Sequence, residues 1–191
     1  WRAIIAKDYT LDNVARVSVA VADWLNENND NPSVVIGHDC RFSGEMFAET
    51  AAKVLASNGV LVKIAKGFVS TPMVSLGVVK EKASLGVVIT ASHNPPAYNG
   101  FKLKGNFGGP LLPVDITDVE NRIPESNSVD LDAICIEILV TEGKIIYVDL
   151  EEMYCKHAEE NFDLDAINNS DMNFAYDAMF GSGMNAVKRL L

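Results

Sequence analysis

Apolar positions along this chain switch repeatedly between two periods. Short β-branched or otherwise apolar runs at Ala3–Ala6, Ser33–Gly37 (SVVIG), Val60–Ala65 and Gly86–Thr90 have the length of buried strands and end at polar or glycine residues. Between them the spacing becomes helical. Val14, Val17, Val21, Trp24 and Leu25 fall on one face of a helix predicted over residues 11–26, with Thr10 as N-cap and Asp12 in the first turn to complement the dipole. Phe47, Ala51, Val54 and Leu55 do the same over 44–57, with Ser43 as the predicted cap and Asn58-Gly59 as the stop. Thr71-Pro72 reads as a cap and first helical residue for a third helix running to about Lys82. Strand and helix alternate through the fourth strand, so the expected fold is α/β: a three-layer α/β/α arrangement around a mixed, mostly parallel sheet.

In such a sheet functional residues belong at the carboxyl ends of strands, where Asp39, Arg41 and Ser92 fall. Asn99-Gly100 reads as a tight turn after the fourth strand. The alternation of Phe101, Lys102, Leu103 and Lys104 then gives an antiparallel strand with both lysines on one face. Downstream, residues 105–113 read as a glycine- and proline-rich loop, 114–123 as a short helix and 124–130 as a polar link. Residues 134–140 and 144–148, separated by Thr141-Glu142-Gly143, read as a hairpin or paired edge strands. An acidic helix follows over 150–162, and a strand restarts at 173–176. The final FAYDAMFGSGMNAVKRLL echoes VVIGHDCRFSGEMFAETAAKVL, which fits either a second domain of related design or the common grammar of α/β turns. Asp177, in the echo, reads as structural.

Charge adds a division that the pattern does not show. Net charge is −10, but residues 1–112 hold 11 basic and 9 acidic side chains, and residues 113–191 hold 5 and 17. An acidic total argues against a nucleic-acid surface, and the mildly positive half suits an anionic ligand. The acidic half reads as a solvated surface. With 48% hydrophobic residues and mean hydropathy of +0.10, the chain describes an ordinary globular core, and no apolar run reaches membrane-spanning length. Cys40, Cys135 and Cys155 are odd in number and widely spaced, which favours thiols in a reducing cytoplasm over disulfides or a metal site.

The segment GVVITASHNPPAYNGFKLK, from Gly86 to Lys104, collects a hydroxyl, an imidazole and an ammonium around one loop. Taken singly, a Ser beside a His carries little information. As a whole, TASHNP followed by PAYNGFK closely resembles the phosphoserine loop of the α-D-phosphohexomutases, the phosphoglucomutase and phosphomannomutase family. WRAIIAKDYTLDNV resembles that family's opening segment, and VVIGHDCRFSG resembles its G-x-D-x-R-x-S turn at Gly37, Asp39, Arg41 and Ser43. Gly44 and Ala97 depart from common family residues without touching the chemistry.

The resemblance implies a first domain over residues 1–150 and the beginning of a second, similar domain over 151–191, in a piece cut at both ends from a longer protein. It implies reversible transfer of phosphate between C1 and C6 of glucose or mannose phosphate through a hexose 1,6-bisphosphate. Ser92 would be the phosphoryl carrier and a magnesium ligand, with the remaining ligands outside the piece. Lys102 and Arg2 would neutralise charge, His93 and Asn94 would orient the phosphoserine, and Lys102 and Asn94 would meet substrate. Arg41 reads as an organiser of its loop rather than a substrate ligand. The implied partners are a hexose phosphate and the remaining domains of the same chain, with no nucleic acid and no membrane. Phosphoglucosamine mutase, and a non-catalytic phosphosugar-binding or interaction domain on the same fold, remain alternatives.

Overall fold

A computed structural model describes residues 1–190. Its strands are β1 (Arg2–Ile4), β2 (Ser33–His38), β3 (Leu61–Phe68), β4 (Leu85–Ile89), β5 (Tyr98–Gly105) and β6 (Ile145–Val148). They form one sheet in the order β1-β5-β4-β2-β3-β6. β2 is parallel to both β3 and β4, and β3 is parallel to β6. β5 runs antiparallel between β4 and β1, so the sheet is mixed and mostly parallel, as the alternation of elements requires.

The helices are α1 (Leu11–Asn28), α2 (Gly44–Ser57), α3 (Thr71–Lys80), α4 (Pro113–Asn121), α5 (Ile136–Thr141), α6 (Leu150–Asn161), α7 (Leu164–Asn168) and α8 (Ala186–Leu190). The central strands are buried on both faces because each face has its own helical layer. Val34, Ile36, Val87 and Ile89 pack with Val21, Leu25, Phe47 and Leu55 from α1 and α2. Val35 and Val88 turn the other way, onto Val74 and Val78 of α3 and Leu150 and Cys155 of α6. Each such valine or isoleucine, fully removed from water, contributes about 1.5–3 kcal/mol of transfer free energy. No helix among the described residues is long and apolar enough to cross a membrane.

The local signals hold at α1, where the Thr10 side chain accepts from the Asn13 amide, and after α2, where Gly59 takes φ +83°. Several others are corrected. Ser43 precedes α2 but sits at φ 57°, with no side-chain capping bond. Ser70, not Thr71, is the N-cap of α3, which places Thr71-Pro72 inside its first turn. Residues 136–141 form the short helix α5 rather than a strand, with Leu139 facing the core. β6 therefore has no hairpin partner and pairs in parallel with β3. Residues 173–176 lie in irregular backbone instead of a strand.

Asn99-Gly100 is the most instructive correction. Both residues lie within β5, not in a turn, and the β4–β5 connection spans residues 90–97. That longer connection is the serine loop.

Candidate active site

β2 and β4 are parallel neighbours, with His38 opposite Ile89, so the residues leaving the two strands emerge together. The Asp39 amide donates to the Ile89 carbonyl at 3.1 Å. The Thr90 hydroxyl donates to Asp39 Oδ2 at 2.5 Å and accepts the Ser92 amide at 3.0 Å. Asp39 Oδ1 accepts the Arg41 amide at 3.0 Å, and Arg41 Nε lies 3.5 Å from Asp39 Oδ2. The guanidinium then reaches across to the serine loop. Nη2 donates to the carbonyls of Ser92 (2.8 Å) and Asn94 (2.6 Å), and Nη1 to those of Pro95 (2.9 Å) and Tyr98 (3.0 Å). Arg41 thus organises the loop, as its position in the sequence suggests. Thr90 is the contributor that sequence reasoning missed. Its signal is a hydroxyl closing an apolar run, one strand away from an aspartate closing another.

Ser92 and His93 are exposed, with Ser92 Oγ 3.5 Å from His93 Nδ1. Ser92 adopts φ 56°, a left-handed conformation that a non-glycine residue holds only when its surroundings fix it. Asn94 is built into the loop. Its amide donates to the Ala91 carbonyl at 3.0 Å, and its side-chain Oδ1 is buried without a hydrogen-bond partner.

The cations come from the adjacent edge of the sheet. Lys102 lies opposite Val88 in the β4–β5 ladder, and Arg2 lies opposite Gly100 in the β1–β5 ladder. Burial pushes the Lys102 ammonium below the usual lysine range, and the positive charges of Arg2, Lys104 and Arg41 add to this against the opposing carboxylate of Asp39. Arg2, Lys102 and Lys104 line a cleft of about 880 Å³ along β1 and β5. Ser92 stands outside that lining, and among the described residues no hydrogen bond joins it to Lys102 or Arg2. By register, Arg2 and Lys102 lie near the end of β4 from which the serine loop leaves, and Lys104 lies farther from it.

The donor set does not by itself make a magnesium site. Magnesium favours oxygen ligands, with carboxylates and phosphate oxygens prominent among them. Among the described residues no three acidic, histidine or cysteine side chains cluster for a metal. Asp39 is the carboxylate nearest the serine in the network, and both its oxygens are already engaged. Ser92 could contribute one ligand and no more.

Residues 1–130 match the family model described as phosphoglucomutase/phosphomannomutase, alpha/beta/alpha domain I. The chain belongs to the phosphoglucomutase/phosphomannomutase family. A phosphoglucomutase of Staphylococcus saprophyticus is 32% identical over 179 residues, covering 93% of this chain and 32% of that protein. A phosphoglucomutase of Staphylococcus aureus is 28% identical over 183 residues, with the same shares covered. Among solved structures, a Thermus thermophilus protein assigned as a phosphomannomutase superposes with a TM-score of 0.88 at 33% identity, covering all of this chain and 41% of that one. The open form of parafusin from Paramecium shares the fold at a TM-score of 0.81 and 16% identity, across 99% of this chain and 39% of its own. The chain thus spans about a third of the length of the phosphoglucomutases it matches.

Proposed function

We propose that this chain carries the phosphoryl-bearing serine of a phosphohexomutase. The supporting observation is Ser92 itself: exposed, conformationally fixed, and set on a clamped loop beside the Arg2–Lys102 surface in a family member. In the proposed reaction phosphorylated Ser92 meets a hexose 1-phosphate. The sugar's free hydroxyl oxygen bonds to phosphorus, the bond from phosphorus to Ser92 Oγ breaks, and the hydroxyl proton ends on Oγ. The products are unmodified serine and a hexose 1,6-bisphosphate. Transfer of the other phosphate back to Ser92 completes the shift between C1 and C6.

A serine hydroxyl is a weak nucleophile, and phosphoserine carries about −1.5 to −2 charge. Lys102 and Arg2 neutralise that charge and the charge on the moving group. His93 and Asn94 hold the phosphoserine and its loop in orientation, and Lys102 and Asn94 also meet the sugar phosphate. A magnesium ion would add charge stabilisation, with Ser92 as one ligand and the others from the rest of the longer protein.

Within this reading, residues 1–150 form the first domain and 151–191 begin a second one in a cytoplasmic enzyme. The test is a coupled assay on the full-length protein with glucose 1-phosphate and mannose 1-phosphate. Ser92→Ala should lower turnover by orders of magnitude, whereas turnover close to the parent would remove Ser92 from the role of carrier.

A further inference from the structure

The hydrogen bonds around Ser92 close into a ring. The Ser92 amide donates to Thr90 Oγ1, the Thr90 hydroxyl donates to Asp39, Asp39 holds Arg41, and Arg41 Nη2 donates back to the Ser92 carbonyl. Both backbone polar groups of Ser92 are therefore held, and its side chain is the part left exposed. The same guanidinium gathers the carbonyls of Asn94, Pro95 and Tyr98, so it fixes the loop along most of its length. Carbonyl dipoles aimed at one point repel each other unless a cation sits there, and a planar guanidinium with donors on fixed vectors meets four of them where a lysine cannot. The four Nη hydrogens of Arg41 are spent on these carbonyls, its Nε lies 3.5 Å from Asp39 Oδ2, and its side chain is 15% exposed. That leaves no Nη donor for a substrate phosphate, and Nε faces the Asp39 carboxylate.

We infer that Arg41 is a positioning residue for phosphoryl transfer, acting through the ring it forms with Asp39, Thr90 and the Ser92 backbone to aim the Ser92 hydroxyl. This rests on the reading of Ser92 as carrier. Ser92 keeps its left-handed φ because the ring holds the peptide units on both sides of it. Opening the ring frees the loop to relax and swings the Cα–Cβ bond off its line. In-line transfer tolerates little error, and a misplacement of about 1 Å costs on the order of 10²-fold in rate.

The experiment uses the full-length protein with Arg41→Ala, Arg41→Lys, Thr90→Val and Ser92→Ala. For Arg41→Ala the expected result is a fall in kcat of about 10²-fold, with KM for the hexose phosphate within about threefold of the parent, as for a group that touches no substrate. Arg41→Lys should recover little, because a point charge does not replace the fork. Added guanidinium should restore part of the turnover of Arg41→Ala and none of that of Ser92→Ala. A large rise in KM at unchanged kcat would instead make Arg41 a substrate ligand. Full activity in Arg41→Lys, or near-parent activity in Arg41→Ala, would overturn the inference.

Should Arg41→Ala fail to fold, Thr90→Val opens the same ring and is read the same way. Amide hydrogen exchange separates the two readings. Faster exchange confined to residues 91–98 in Arg41→Ala supports the clamp whether or not Ser92 is the carrier, and unchanged exchange there overturns it. Parent-like turnover in Ser92→Ala removes the carrier reading alone.

Discussion

Gly100 lies directly opposite Arg2 in the β1–β5 ladder, and a Cβ at Gly100 would come within 2.9 Å of Arg2 Cγ and 2.6 Å of the Thr90 carbonyl oxygen. The glycine sets how closely β1, with its arginine, approaches the end of β4. Gly100→Ala has no room without moving backbone, because the Trp1 carbonyl oxygen also lies 2.9 Å away. The expected cost is about 1–3 kcal/mol, typical of overpacking, visible as a lower thermal midpoint. Activity of the full-length enzyme should fall further than that stability loss explains, because Arg2 moves with β1. An unchanged midpoint would show that β1 can slide outward freely.

Ser92 offers a stability test that needs no activity. Alanine at φ 56° retains the steric penalty of a left-handed residue, and glycine does not. Ser92→Gly should therefore be more stable than Ser92→Ala, by about 1 kcal/mol, measured by denaturant unfolding. The reverse order would mean that the loop does not hold this conformation in solution.

Lys102 and Lys104 separate general charge from placed charge. Lys102→Ala should lower turnover of the full-length enzyme by roughly 10²-fold, as expected for one preorganised charge. Lys104, opposite Gly86 and farther along β5 from the loop, should matter much less. Equal and small effects would make both lysines ordinary surface charge.

The lowered pKa of Lys102 gives a pH test with a definite sign. A lysine whose folded pKa lies below its unfolded value binds fewer protons in the folded state. Its contribution disfavours the folded state at lower pH, and that penalty is released as pH rises through the folded pKa. In the dephosphorylated protein the function of this ammonium should be lost on the alkaline side at a pH below the usual lysine range, and phosphate on Ser92 should shift that fall back upward. Lys102→Arg, which stays protonated there, should move that fall to higher pH. An alkaline limb unmoved by Lys102→Arg would assign it to another group.

The 191-residue chain alone should show no mutase activity on glucose 1-phosphate or mannose 1-phosphate, even with magnesium and a bisphosphate activator. On the proposed function its serine loop and cationic cleft are one wall of a larger site, and phosphoryl transfer depends on positioning and charge stabilisation from every side. A coupled assay against the full-length enzyme checks this, and turnover within an order of magnitude of that control would place the whole site within these residues.

The central architecture was legible because its signals are redundant. β2 and β4 bury apolar side chains on both faces, β3 buries Val62 and Ile64, and α1 has both a stripe of core residues and a working cap at Thr10. The failures share a cause: the signal was local and the deciding contact was distant. Asn99-Gly100 carries the composition of a turn, yet its glycine serves the close approach of β1, and Asn99 Oδ1 accepts the Gly100 amide within the strand. The apolar run at 134–140 fits either period over so few residues, and packing of Leu139 and Ile136 onto the core decides for helix. Ser92 and Lys102 stand out in the sequence through the long serine-loop resemblance, and Arg2 through the resemblance of the opening segment. The link between Thr90 and Asp39 depends on strand order, which no local window shows.

The most direct test of Ser92 as phosphoryl carrier is phosphopeptide mass spectrometry on the full-length protein. The enzyme would be stripped of phosphate, incubated with a hexose 1,6-bisphosphate, digested, and then chased with hexose 1-phosphate in a parallel sample. The expected result is one phosphate appearing on Ser92 and leaving it during the chase at a rate matching turnover. Turnover with Ser92 unmodified throughout, or with the phosphate on another residue, would contradict the account.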